Sequence, residues 1–94
     1  MERPLIQKKS LMEQETRIAS ALITIDKNSN EIQNVNNILG NFSSEIIARQ
    51  GLSLPSKDYN IISVIIESDI NTINSFAGKV GKVSSVNIKM LIQK

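Results

Sequence analysis

The segment 78–82 (GKVGK) has the spacing of the chain that most resembles a ligand-binding loop, because two glycines lie three residues apart and a lysine follows each. A phosphate-binding P-loop needs four residues between its glycines and a Lys-Ser or Lys-Thr pair that opens a helix. A KH-type clamp lies between two helices, whereas strand residues follow this segment. We therefore predict that Gly81 ends a helix in a left-handed cap, with Lys79 and Lys82 at the negative end of the helix dipole.

Arg49 is the side chain best suited to bind an anion, because it lies on a short strand before Gly51 and a guanidinium can hold a carboxylate or phosphate bidentately. A second candidate is the polar turn that carries Asp26 and Asn28. An acylphosphatase-like enzyme would place an arginine in this turn, which is acidic instead. Solvated rim residues are the simplest reading of these charges. The alternative function is a small hydrolase that holds phosphate or carboxylate with Arg49 and the asparagine-rich turn.

Composition excludes several classes of chemistry. The chain has no cysteine and no histidine, so it lacks thiolate nucleophiles, disulfides and the usual ligands of zinc, nickel, copper and haem. The net charge of +2 is spread along the chain, so it creates no concentrated field that would steer DNA or membranes. Aromatic residues make up only 3%, which disfavours a sheet that recognises RNA by base stacking. We predict that the chain is not an enzyme, binds no cofactor and no nucleic acid, and does not associate with membranes.

Periodicity predicts six elements over residues 16–94, preceded by a flexible tail over residues 1–15. A capping box from Asn28 to Glu31 begins the first helix and Gly40 stops it, while Ser68 or Asp69 begins the second helix. The four strands lie near residues 17–25, 45–49, 59–67 and 86–92, so the order is β-α-β-β-α-β.

This order is typical of an α+β ferredoxin-like plait, in which two helices pack on one face of a four-stranded antiparallel sheet. The first and third strands are the most apolar, as expected for the middle of the sheet. In the third strand, Ile62, Val64 and Ile66 can meet the helices, while Ile61 and Ile65 point to the opposite face. Leaving such side chains in water forgoes about 1.5 to 3 kcal/mol each. We therefore expect a second copy of the chain to cover that face.

Three segments resemble the family of iron-only hydrogenase system regulators: residues 37–52 (NILGNFSSEIIARQGL), 61–67 (IISVIIE) and 69–83 (DINTINSFAGKVGKV). The resemblance covers roughly residues 17–94. It implies an ACT-like version of the ferredoxin-like fold and a regulatory or sensory role linked to iron-only hydrogenase in bacteria. Two positions depart from the family pattern, since Ala48 and Ser85 stand where the family usually has glycine.

The sequence and the resemblance together give a functional expectation. We expect a non-enzymatic, cytoplasmic regulatory module that forms a homo-oligomer, either dimer or tetramer, and responds to a small-molecule effector or a protein partner at subunit interfaces. The candidate effector or interface residues are Asp26, Asn28, Arg49, Gly51, Ile61 and Ile65, and the candidate helix caps are Gly40 and Gly81.

Overall fold

A computed structural model of the chain describes residues 16–93, so the predicted flexible tail over residues 1–15 lies outside the described residues. Six elements follow in the predicted order β-α-β-β-α-β: β1 Thr16–Asp26, α1 Ile32–Asn41, β2 Ile46–Ser53, β3 Tyr59–Asp69, α2 Ile70–Gly81 and β4 Val86–Gln93. Neither described helix has the length and apolar character that crossing a membrane requires.

The four strands form one antiparallel sheet in the order β2-β3-β1-β4. The first and third strands occupy the middle, as predicted from their apolar content. β1 and β3 pair over their whole length, from Thr16 opposite Asp69 to Asp26 opposite Tyr59. The architecture is therefore the ferredoxin-like plait that the sequence predicted.

Both helices lie on one face of the sheet, and the core fills the space between them. Each middle strand buries alternate residues because successive side chains of a strand point to opposite faces. The aromatic rings of Phe42 and Phe76 meet edge to face, with centroids 5.3 Å apart, and join the end of α1 to α2. The buried set comprises Ala19, Ala21, Ile23, Ile25, Val35, Leu39, Phe42, Ile62, Val64, Ile66, Ile73, Phe76 and Val80.

The starts of the two helices differ. Asp69 caps α2, because its carboxylate accepts hydrogen bonds from the backbone N–H of Thr72 at 3.3 Å and from the Thr72 hydroxyl at 2.5 Å. The capping box predicted for α1 is not formed. Glu31 is the N-cap and has no side-chain cap, and the Asn28 backbone N–H donates to the Asp26 carboxylate at 2.9 Å instead. The short Asp side chain closes this turn on its own backbone, which removes Asn28 from the helix start.

The two predicted glycine stops are wrong. α1 continues through Gly40 to Asn41, and α2 includes Gly81 as its last residue. None of the glycines among residues 16–93 has a positive φ, so the left-handed cap predicted at Gly81 is absent. Backbone N–H groups of Lys82 and Val83 satisfy the last carbonyls with ordinary helical and turn geometry. Lys79 does lie in the last turn of α2, as predicted.

The left-handed residue lies four positions later, at Ser85, which has φ of 64°. This conformation ends the turn after α2 and directs the Ser85 carbonyl to the backbone N–H of Asp26, at 3.1 Å. In the left-handed region the Cβ atom comes too close to the following carbonyl oxygen, and glycine avoids this clash because it has no Cβ atom. Ser85 therefore holds a backbone shape that glycine would adopt without strain.

We predict that Ser85→Gly raises the free energy of unfolding by about 1 kcal/mol, because it removes the left-handed penalty. Urea denaturation followed by circular dichroism measures the change. Ser84→Gly is the matched control, since Ser84 has no positive φ, and it is expected to lower stability instead. Equal effects of the two substitutions would contradict the account of this turn.

The Asp69 cap predicts a pH dependence of stability. Hydrogen bonds from Thr72 lower the pKa of Asp69 below its ordinary value. A carboxyl whose folded pKa is lowered adds stability above its unfolded pKa, and this contribution is lost as the pH falls through the folded pKa. Asp69→Asn should therefore lose stability relative to the original chain near neutral pH, and the difference should shrink in acid. Thr72→Val removes the main donor and should weaken the same pH dependence in urea titrations.

Candidate functional site

The sheet face opposite the helices mixes apolar side chains with polar ones. We call it the open face, and it consists of four cross-strand rows, which are Leu52, Ile61, Thr24 and Asn87; Gln50, Ser63, Leu22 and Lys89; Ala48, Ile65, Ser20 and Leu91; and Glu67, Ile18 and Gln93. Each row runs across neighbouring strands because directly paired residues point to the same face.

Large apolar side chains on the open face remain exposed. Leu91 is 73% exposed, Leu22 46% and Ile65 39%, whereas Val64 and Ile66, on the other face of β3, are fully buried. The predicted orientations of Ile61 and Ile65 are therefore confirmed. Ile61 is half-buried beside Leu52 and Thr24.

Charge on the open face is sparse and balanced. Glu67 and Lys89 are the charged residues in its four rows, and they lie on opposite sides of β1, next to Ile18 and Leu22 respectively. The remaining polar groups are serine, threonine and amide side chains, which are compatible with a sheet surface that packs against another protein surface.

A second concave surface lies between α1 and the β2 edge of the sheet. We call it the α1–β2 cleft. It has a volume of about 320 Å³ and is lined by Ile32, Asn36, Arg49, Gly51, Leu52, Ser53, Asn60, Ile61 and Ile62. The helices leave β2 uncovered, since every β2 residue after Ile46 is exposed. A β-bulge between Ile46 and Ala48 shifts the register and leaves Ile47 unpaired.

Polar groups in the α1–β2 cleft come from three elements. The Arg49 guanidinium on β2 donates from Nη2 to Oδ1 of Asn36 on α1, at 3.0 Å. Asn60 is the second residue of β3, and its buried side-chain oxygen, Oδ1, has no hydrogen-bond partner among the described residues. A β-carbon at Gly51 would meet no atom within 4 Å, so Gly51 leaves open space in the cleft.

Asp26 and Asn28 occupy a different place, at the end of the sheet. The Asp26 carboxylate is engaged by the Asn28 backbone, and Asp26 also lines an open cavity of about 360 Å³ with Asp58, Tyr59 and Ser85. Within residues 16–93, three or more potential metal-ligating side chains are nowhere grouped together. The predicted site residues therefore fall in three places: Asp26 with Asn28, Arg49 with Gly51, and Ile61 with Ile65.

Sequence reasoning missed Asn36 and Asn60, which complete the α1–β2 cleft. Asn60 carried a usable signal, because it shares the strand parity of Ile62, Val64 and Ile66 and so had to face the helix layer. A polar residue on that face of β3 is unusual and marks the edge of the core. Asn36 carried no comparable signal, since α1 contains several asparagines and only the fold shows which of them meets Arg49.

Comparison with known proteins places this architecture in a family. A family model described as "TM1266-like: Iron-only hydrogenase system regulator, putative" matches residues 17–90, which covers both helices and most of the sheet. The chain belongs to the TM1266-like family. It is similar to the solved structure of the uncharacterized protein TM1266 from Thermotoga maritima, at 30% identity and a TM-score of 0.80, over 85% of this chain and 100% of that chain. No curated protein matches the sequence.

The unpartnered oxygen of Asn60 predicts a stability gain on its removal. Asn60→Leu should raise the free energy of unfolding by about 1 kcal/mol, because a buried polar atom without a hydrogen bond is costly. Asn74→Leu is the matched control at an exposed position of α2, and its effect should stay within about 0.5 kcal/mol. A loss of stability in Asn60→Leu, measured by urea denaturation, would show that the Asn60 side chain does have a hydrogen-bond partner in the folded protein.

Proposed function

We propose that the chain is a non-enzymatic regulatory module of an iron-only hydrogenase system, which associates with itself through the open face. The family description supports the regulatory role and its link to the hydrogenase system. The observation that carries the proposal is the open face itself, where exposed apolar side chains of all four strands form one surface. An effector or protein partner that prefers one assembly state would shift the equilibrium between states.

Burial of the open face provides the driving force for association. Covering Leu22, Ile65 and Leu91 removes apolar surface from water, which stabilises the associated state by about 25 cal/mol for each Å² buried. Two sheets pack face to face about 10 Å apart, with the side chains of their inner faces interdigitated. The mixture of large and small side chains on the open face, such as Leu22 beside Ser63, suits that arrangement.

The balanced charge of the open face favours a second copy of the chain over a strongly acidic or strongly basic partner. One glutamate and one lysine give the four rows no net charge, so the surface does not select a strongly acidic or basic partner. A two-fold symmetric interface joins the same patch on both subunits. Such an interface can bring each positive region near the negative region of the other copy.

The rival function is a small hydrolase that uses Arg49. The α1–β2 cleft that contains Arg49 is also lined by Ser53, but by no Asp, Glu or Lys side chain that could act as a base. The chain has no histidine either. A serine nucleophile needs an adjacent base for activation. Turnover of any member of a panel of acyl phosphates and nucleotides would favour the hydrolase over the regulatory module.

We predict that the chain is a dimer or tetramer at micromolar concentration, and size-exclusion chromatography with light scattering should give a mass of two or four times 10.4 kDa. Leu22→Lys should weaken association by about tenfold or more, because it places an unpaired charge in the interface. Ile47→Lys is the control, since Ile47 is 56% exposed but lies on the β2 bulge, outside the four rows of the open face. A monomeric chain, or equal weakening by both variants, would refute the open face as the interface.

A further inference from the structure

The open face begins beside the point where residues 1–15 join the sheet. β1 begins at Thr16, and Ile18, two residues later, belongs to the nearest row of the open face. We propose that residues 5–12 (LIQKKSLM) cover the open face of their own chain and so compete with a second copy. The contact itself stands alone, whereas its effect on assembly rests on the proposed function.

Residues 1–15 lie outside the part of the chain that the family shares. The family model begins at residue 17, and 85% of this chain accounts for the whole of the TM1266 chain. The segment is therefore an addition to the shared domain, and its role has to follow from the residues of this chain.

The segment contains two apolar pairs, at residues 5–6 (LI) and 11–12 (LM), with four polar residues between them. The open face has apolar side chains that lack cover, since Ile18 is 45% exposed, Ile65 39% and Leu91 73%. When apolar groups of both kinds meet, each Å² removed from water contributes about 25 cal/mol. The segment and the open face are therefore complementary in polarity.

The length of the segment allows both pairs to reach the open face. An extended chain spans at most about 3.5 Å per residue, so residues 11–12 can lie up to about 18 Å from Thr16 and residues 5–6 up to about 38 Å. The four-stranded face is about 14 Å wide, and Ile18 and Thr24, in its first and last rows, are about 20 Å apart along β1. One pair therefore reaches the near rows and the other reaches the far rows.

Charges near the attachment point favour the same contact. The backbone N–H of Glu67 donates to the carbonyl of Glu45 at 2.9 Å, so two acidic residues lie side by side at this end of the sheet. Arg17 shares the strand parity of the core residues of β1 and so belongs to the other face. Lys8 and Lys9 lie between the two apolar pairs, and over the near rows their charges would complement Glu67.

Attachment gives the segment an advantage over a second copy. A tethered group acts at an effective concentration on the order of millimolar, so a weak contact is enough to compete with a copy at micromolar concentration. If the segment covers about two thirds of the copies, about one third are competent, and association of two competent copies weakens about ninefold. A protein that captured residues 5–12 would strengthen assembly by the same factor.

A spin label on the segment tests the contact. The chain has no cysteine, so Ser10→Cys provides a single attachment point for a nitroxide. Isotope-labelled chain that carries the nitroxide is diluted into an excess of unlabelled chain, so that the label and the observed signals belong to the same copy. The methyl signals of Ile18, Ile65 and Leu91 should broaden more than those of Val35, which lies on α1 on the other side of the sheet.

Variants of the full chain test the competition. Leu11→Ser combined with Met12→Ser removes one apolar pair without a change of charge, and it should tighten self-association by up to about ninefold. Ser10→Ala combined with Gln14→Ala is the matched control, because it changes two polar positions of the same segment and should leave self-association unchanged. Sedimentation over a concentration series measures the dissociation constants.

The converse sample, in which the nitroxide is on the unlabelled copies, distinguishes the two chains. Broadening of the open face only in this sample would place the segment on a second copy and overturn the proposal, as would no broadening of the open face in either sample. Equal dissociation constants for the two double variants would overturn the competition. A chain that stays monomeric would refute the proposed assembly, while broadening in the first sample would still establish the contact.

Discussion

The structure depends on one constraint, which is that a single layer of helices covers a sheet with large aliphatic side chains on both faces. β1 and β3 carry large aliphatic residues at both parities, so pairing them in the middle of the sheet buries one set under the helices and exposes the other. A chain of 94 residues has no further described element to cover the second face. Association is the physical solution that the proposed function assigns to this surface.

The same shortage of cover produces the α1–β2 cleft. α1 is 10 residues long, and the β2 edge beside it stays exposed, so Arg49, Gly51 and Asn60 border open space instead of core. The two surfaces meet at β2, because Leu52 belongs to the open face and also lines the cleft, while Arg49 and Gly51 pair with helix-facing residues of β3.

The sequence was sufficient to predict the order of the elements, the fold and the side chains that point to the open face. Strand parity predicted that Ile61 and Ile65 point away from the helices, because a period of two leaves no other choice once Ile62 and Val64 are in the core. Local signals were less reliable. The cap predicted at Gly81 failed because the left-handed turn residue is Ser85, and the Asn28 box failed because Asp26 captures the turn backbone. The partners of Arg49 depend on packing between distant segments, which no local pattern contains.

The most direct test of the central claim is an isotope-filtered NOE experiment on a sample that mixes labelled and unlabelled copies of the chain. The account predicts intermolecular NOEs from the methyl groups of Leu22, Ile65 and Leu91, which lie in neighbouring rows of the open face. Intermolecular NOEs confined to the helix surfaces, or none from these three residues at concentrations where the chain is fully folded, would contradict it.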